Sequence, residues 1–225
     1  MAVNCRSISH LKTYGGILSP GLILSIVLSS CAVTNESQLP QGRYLYRMKG
    51  MTFQKAVLSS LGDSVIIHER AVSAKSNSLP LMQRDAELLR SSFDSEVFWT
   101  IGKFRPAAEN LPRQLNTELN GNLYAGWRWD RYKNIAHGKW MSQSISLGAF
   151  AGIGTTRISS STTNHRTTAE YQAAAASYGL ALLSGFSRFS YGLAIGTDHL
   201  WSDDRSIWIY HRKAWYGLTL GIKLR

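Results

Sequence analysis

The chain is short of cysteine, of acidic side chains and of unbroken apolar runs, and each shortage excludes something. Only Cys5 and Cys31 occur. Two cysteines cannot build a disulfide framework or a cysteine-rich metal centre. Acids number 14 against 25 Lys and Arg. That excess attracts anions. The cations are scattered between apolar positions, whereas a nucleic-acid binder gathers them on one helix or face. No pair of histidines shows HxH, HxxE or HExxH spacing, so metal-hydrolase chemistry has no motif to rest on. The longest apolar run, 17–28, is broken by Pro20-Gly21 and falls short of the roughly 20 residues that a membrane helix needs.

That run is nevertheless informative. Arg6 and Lys12 precede it, and small residues follow it up to Cys31. A basic start, a short apolar stretch and a small-residue cut site make a secretory signal. Leu28-Ser29-Ser30-Cys31 resembles the lipobox of bacterial lipoproteins. The resemblance implies that Cys31 is acylated and becomes the N-terminus after cleavage. An uncleaved membrane helix and a plain secretory signal are the alternatives. Ala32 follows the cysteine, and no Asp stands there as in an inner-membrane retention signal, so delivery to the outer membrane is allowed. Removing residues 1–30 leaves 23 basic against 14 acidic side chains, a net charge of +9. At an outer membrane the anions that could meet it are lipid headgroups and lipopolysaccharide phosphates.

The remainder divides by texture. Residues 31–41 are polar and read as a tether. Residues 42–70 hold three short β-like runs separated by Gly50 and Gly62-Asp63, a small meander. Residues 71–93 read as a linker. From 94 to 225 the sequence alternates with period two over long segments, and all seven tryptophans lie there.

In Leu115–Tyr132 one face carries Leu115, Leu119, Leu123, Ala125, Trp127 and Trp129, and the other carries Asn120, Asn122, Gly126, Arg128 and Asp130. Ser142–Ile158, Tyr171–Leu183, Phe189–Leu200 and the last segment to Leu224 repeat the pattern. One face is apolar, the other small or polar. The segments are long for soluble strands, which average about 5–6 residues. The small and polar face suits a narrow lumen, and tryptophans near segment ends (Trp127/Trp129, Trp201, Trp208/Trp215) suit an interfacial girdle. The expected fold is therefore all-β: a small antiparallel membrane-type β-barrel of about 6–8 strands, preceded by a short β-meander. Six long strands are expected, near 94–105, 115–132, 141–158, 169–184, 188–201 and 206–224. A short 185–188 connection at the periplasmic end and a longer 158–168 connection outside match the asymmetry of outer-membrane barrels.

Two stretches carry a second resemblance. Phe104-Arg105-Pro106, Leu111–Thr117 and Tyr124–Arg128 form the first, and Gly196–Leu200, Trp208–Tyr210 and Lys213–Leu218 the second. Together they resemble Bacteroidota outer-membrane β-barrel-like envelope proteins. That resemblance implies a cell-envelope β-structure and no assigned reaction.

Candidate chemistry is sparse. Neither a catalytic residue, a metal site nor a cofactor is expected. Asp198 and His199 sit beside Asp203 and Asp204, but neighbours on a strand point to opposite faces. His199 as a general base with Ser202 as nucleophile is the enzymatic alternative, a lipid-modifying barrel. Asp203 and Asp204 read as a solvated loop tip. Arg105 and Arg113 flank one external connection, and Arg157 and Arg166 bracket another. These four are the candidate lipopolysaccharide-contacting residues. Glu118, Arg128 and Asp130 share the lumen face and are expected to pair. The functional expectation is a lipid-anchored outer-membrane barrel with a structural or binding role, its N-terminal region periplasmic. Its partners are outer-membrane lipid and lipopolysaccharide, no nucleic acid, with a homo-oligomer as an open option. The alternative is a soluble periplasmic lipocalin-like or β-sandwich lipoprotein holding a small apolar ligand. The two differ in the direction of Leu193, Ile195, Leu218 and Leu220.

Overall fold

The computed structural model describes residues 32–35, 39–47, 50, 52–61, 64–69, 79–80, 86–108, 111–136, 139–186 and 189–224. The signal segment 1–30 and Cys31 lie outside the described residues. The strands are β1 (Ala32–Asn35), β2 (Gly42–Arg47), β3 (Gln54–Leu61), β4 (Ser64–Glu69), β5 (Leu79–Pro80), β6 (Glu87–Arg105), β7 (Gln114–Asn116), β8 (Asn120–Ala136), β9 (Lys139–Ile158), β10 (Tyr171–Phe186), β11 (Phe189–Leu200) and β12 (Ala214–Lys223).

Six of these close a ring. β6 pairs with β8, β8 with β9, β9 with β10, β10 with β11, β11 with β12, and β12 returns to β6, every pair antiparallel. The protein is all-β, a small antiparallel barrel. Its stagger can be followed on one rung: Phe93 pairs with Trp127, Trp127 with Leu147, Leu147 with Leu182, Leu182 with Leu193, Leu193 with Leu218. Leu218 then meets β6 at Gly102, nine positions above Phe93. With ~3.3 Å per residue along a strand and ~4.8 Å between strands, that stagger tilts six strands by about 45°. The wall radius is then about 7 Å, so only side chains fit inside.

The alternation read from the sequence sets the two faces. Gly, Ser, Ala and a few polar residues point inward, where the curvature is tightest. At Gly148 the crowding is explicit, since a Cβ there would lie 2.2 Å from the Ala125 carbonyl oxygen and 2.3 Å from the Gly126 Cα. Buried aromatics fill the middle. Phe98 meets Phe150 edge-on at 5.2 Å, and Phe150 meets Trp215 at 5.9 Å.

β6 is long enough for one edge to serve two partners. β12 covers it from Glu96 to Phe104, and β2 covers it from Glu87 to Leu89. The meander β2–β3–β4, extended by β5, thereby prolongs the barrel wall at the end of the short connections. β1 does the same on β9, from Lys139 to Ser142, below the stretch taken by β10. An apolar cluster that includes Tyr44, Leu58, Leu88, Tyr132 and Trp140 closes this end.

Several expectations need correction. The barrel begins at Glu87, not at 94, so the end of the expected linker is strand. Ala32–Asn35, expected within a tether, is a paired strand. The last strand starts at Ala214, not near 206. The residues before it form a short 3₁₀ turn, Asp203–Ser206, and a segment folded into the barrel mouth. Trp208 and Trp215 are buried at 3% and 1% exposure, so they are core and not girdle. Trp127, Trp129 and Trp201 are exposed, as expected of a girdle.

Candidate functional site

The outer wall is the first candidate surface. Leu123, Ile153, Leu180, Ile195, Tyr216 and Leu220 all point outward, each at least half exposed. The rung from Phe93 through Leu218 is apolar all the way round. Leu193 and Leu218 point out with their neighbours, because Gly192, Ala194, Gly217 and Thr219 are the buried positions between them. A soluble barrel that carries an apolar ligand needs the opposite arrangement. Water-soluble monomers rarely expose a contiguous apolar patch larger than a few hundred Å². Among the described residues no helix is long and apolar enough to cross a membrane.

The two ends of the barrel differ. β8–β9 and β10–β11 are joined by two residues each, at the meander end. The connections after β6, β9 and β11 are long and lie at the other end, the mouth. On the outer face near the meander, a groove of about 670 Å³ is lined by Leu45, Val57, Leu89 and Trp129, together with Arg43, Lys55, Arg90, Arg131 and Asp130. A tryptophan and an excess of cations beside apolar side chains suit contact with an anionic group that carries an apolar part.

Inside, several charged residues pair. Asp198 is fully buried and accepts from four donors: Lys103 Nζ at 2.8 Å, Ser177 Oγ at 2.7 Å, Trp215 Nε1 at 2.9 Å and Arg105 Nη2 at 2.5 Å. The Arg105 guanidinium also lies against Trp208 and Tyr210, 5.1 and 5.0 Å from their ring centres, and the two rings meet edge to face. Lower in the lumen Arg128 pairs with Asp130 at 2.7 Å, and Ser190 donates to the buried Glu96. The expected Arg128–Asp130 pairing is present. Glu118 sits instead above this lumen network, where Asn116 Nδ2 donates to it at 3.0 Å.

Of the four arginines expected to face lipopolysaccharide, Arg113, Arg157 and Arg166 are exposed at the mouth. Arg157 is tied to Glu170 at 2.6 Å. Arg105 is a correction: at 3% exposure it faces the lumen and not the surroundings. A bulge causes this. Thr219 pairs with Thr100 and Leu218 with Gly102, so Ile101 has no opposite residue on β12. One extra residue reverses the facing of everything beyond it. Thr100 and Lys103 both face inward, while Ile101 and Phe104 face out.

Ser202 and His199, the residues of the enzymatic alternative, each engage other groups. Ser202 Oγ is engaged by the Tyr171 hydroxyl at 2.8 Å and by the Asp204 backbone N–H at 3.3 Å. The His199 ring packs on His211 at 4.8 Å. Among the described residues no three His, Cys, Asp or Glu side chains gather as a metal site. Sequence reasoning missed Lys103, Trp208 and Tyr210. A signal existed for the first. Apart from Phe98, the apolar positions 93, 97, 99 and 101 are odd and the next, Phe104, is even, with Gly102 between them, a change of parity that fits a bulge.

Fold and faces together define a closed six-stranded antiparallel β-barrel with an apolar exterior and a packed, ion-paired interior. Comparisons with family models, with curated proteins and with solved structures find no match to this chain.

Proposed function

We propose that this protein is a lipid-anchored outer-membrane β-barrel that acts structurally or in binding at the cell envelope. One observation carries the reading: the side chains that alternate outward form an unbroken apolar belt, while every described interior charge lies among side chains that fill the lumen. The ring strands of 10–20 residues meet the roughly 9–11 that a tilted membrane strand requires. Apolar clusters occupy the base, middle and mouth of the lumen, and a filled interior is suited to recognition or scaffolding.

The anchor fits the same geometry. Ala32, the residue after Cys31, pairs with Ser142, one residue from Gln143 and close to the Trp129–Ile145 rung. Ala32, the first described residue, thus lies near the level of the exposed Trp129, where a membrane surface would lie in this reading. The mouth is then external and the meander periplasmic.

Cysteine labelling in intact cells tests the orientation. Thr167→Cys, in a mouth connection, is expected to react with a membrane-impermeant maleimide on whole cells. Lys55→Cys, in the meander, is expected to react only after the outer membrane is opened. Equal labelling of both in intact cells contradicts the reading.

A further inference from the structure

We propose that the mouth of the barrel holds a binding site for an oxyanion group, a phosphate or a carboxylate. A cavity of about 480 Å³ lies there, lined by Arg105, Glu118, Arg157, Glu170, Trp208 and Tyr210 among others. Three of these lining residues carry buried polar atoms with no hydrogen-bonding partner among the described residues: Arg105 Nη1, Trp208 Nε1 and Tyr210 Oη. Buried polar groups are normally paired, and leaving one unpaired costs free energy. Three such groups on one cavity call for a common partner. The Arg and Trp nitrogens are donors only, and the Tyr hydroxyl can donate. Their partner must therefore offer several acceptors at once.

The charges around the cavity balance. Asp198 is bonded to both Lys103 and Arg105, and Glu118 on the cavity wall supplies a second negative charge near Lys103. Glu170 is neutralised by Arg157. The site therefore rests on its unpaired donors and not on an excess of charge. Arg105 is held in place by contact with the Trp208 and Tyr210 rings and at its Nη2 by Asp198, which leaves Nη1 for a ligand. A fixed guanidinium flanked by two further donors is a preorganised oxyanion receptor. This inference needs only the fold, and it stands whether or not the barrel lies in a membrane.

The test uses the full chain refolded in a non-ionic detergent. Its thermal unfolding is followed with inorganic phosphate, with acetate and with chloride at matched ionic strength. Micelles carrying a phosphorylated glycolipid form a separate arm. Tyr210→Phe and Trp208→Phe keep the aromatic packing and each remove one donor. Wild type is expected to be stabilised by phosphate or acetate beyond chloride, and each variant to bind about tenfold more weakly. Without ligand, Tyr210→Phe is expected to melt higher than wild type, because it removes an orphaned hydroxyl. Stabilisation by free anion identifies a soluble ligand, and stabilisation by the glycolipid alone identifies a headgroup. Either supports the site. No anion-specific stabilisation in any arm overturns it, as does binding that both variants retain in full.

Discussion

Arg105 and Asp198 stand 93 residues apart in the chain, yet Nη2 of one lies 2.5 Å from Oδ2 of the other, both wholly inside the barrel. The pair joins β6 to β11, strands that are not neighbours in the ring, and Lys103 and Trp215 bond to the same carboxylate. Asp198 is thus the point at which β6, β10, β11 and β12 are tied across the lumen.

Replacing Asp198 by Asn is expected to be severe. It leaves Lys103 and Arg105 buried with no counter-charge. Breaking a buried pair from one side costs about 3–5 kcal/mol. Denaturant unfolding of refolded protein checks this. A loss below about 1 kcal/mol would mean that water reaches the cluster.

The bulge at Ile101 makes a second case. Deleting Ile101 removes the bulge and leaves the pairs Thr100–Thr219 and Gly102–Leu218 in register, so Lys103 and Arg105 keep facing the lumen and Phe104 keeps facing out. The shortened chain is expected to give the compact, heat-sensitive band of the wild type on unheated gels, and loss of that band would mean that the bulge itself is required. Ile101→Val keeps the extra residue and is expected to fold like wild type.

Gly148 tests the tightness of the wall. A Cβ there meets backbone atoms of β8, which cannot swing aside as a side chain does. Gly148→Ala is expected to lower stability by about 1–3 kcal/mol, as overpacking does. Gly121, on the same strand as Gly126, has open space around it, and Gly121→Ala is the control.

Acid is expected to loosen the mouth. His211 lies in the connection that carries Trp208 and Tyr210. Partial burial holds its pKa below the ordinary 6.5, and His199, Arg212 and Arg205 push it the same way. Its Nδ1 accepts from the Leu200 N–H at 3.4 Å, which a protonated ring cannot do. A base whose pKa is depressed on folding favours the folded state fully above the unfolded value, near 6.5. That contribution is lost as pH falls below about 6.5 toward the depressed value. Protection factors of the 201–213 amides, with the intrinsic pH dependence of exchange removed, are expected to fall between about pH 7.5 and pH 5, and His211→Gln is expected to flatten the dependence.

Much of the barrel was legible in the sequence because period-two alternation is a direct consequence of strand geometry. Residues 120–132 and 142–158 show which side chain faces where, and the structure agrees position by position. The charged interior was half legible. Arg128 and Asp130 share a parity on one strand, so their pairing could be anticipated. Asp198 with Lys103 and Arg105 could not, since long-range contacts leave no local trace and the bulge reverses the parity of β6. Trp208 and Trp215 misled for a related reason: a tryptophan near a segment end is equally consistent with a girdle and with a plug. Ala32–Asn35 looked like a tether because so short a strand has no period to read.

The central claim is that the outer belt faces lipid. The outward position of Ile195 tests it on stability alone. Ile195→Arg is expected to cost about 2–4 kcal/mol in a lipid-embedded barrel if the residue lies near the bilayer midplane. On a water-exposed surface the same change stays within about 0.5 kcal/mol.

The most direct measurement is membrane extraction of the Cys31→Ala variant, with its mobility compared before and after heating. If the strands are embedded, the variant resists carbonate, remains in the outer-membrane fraction and migrates differently when unheated. If it becomes soluble, the lipid was the only anchor, and an apolar belt turned toward water contradicts the account.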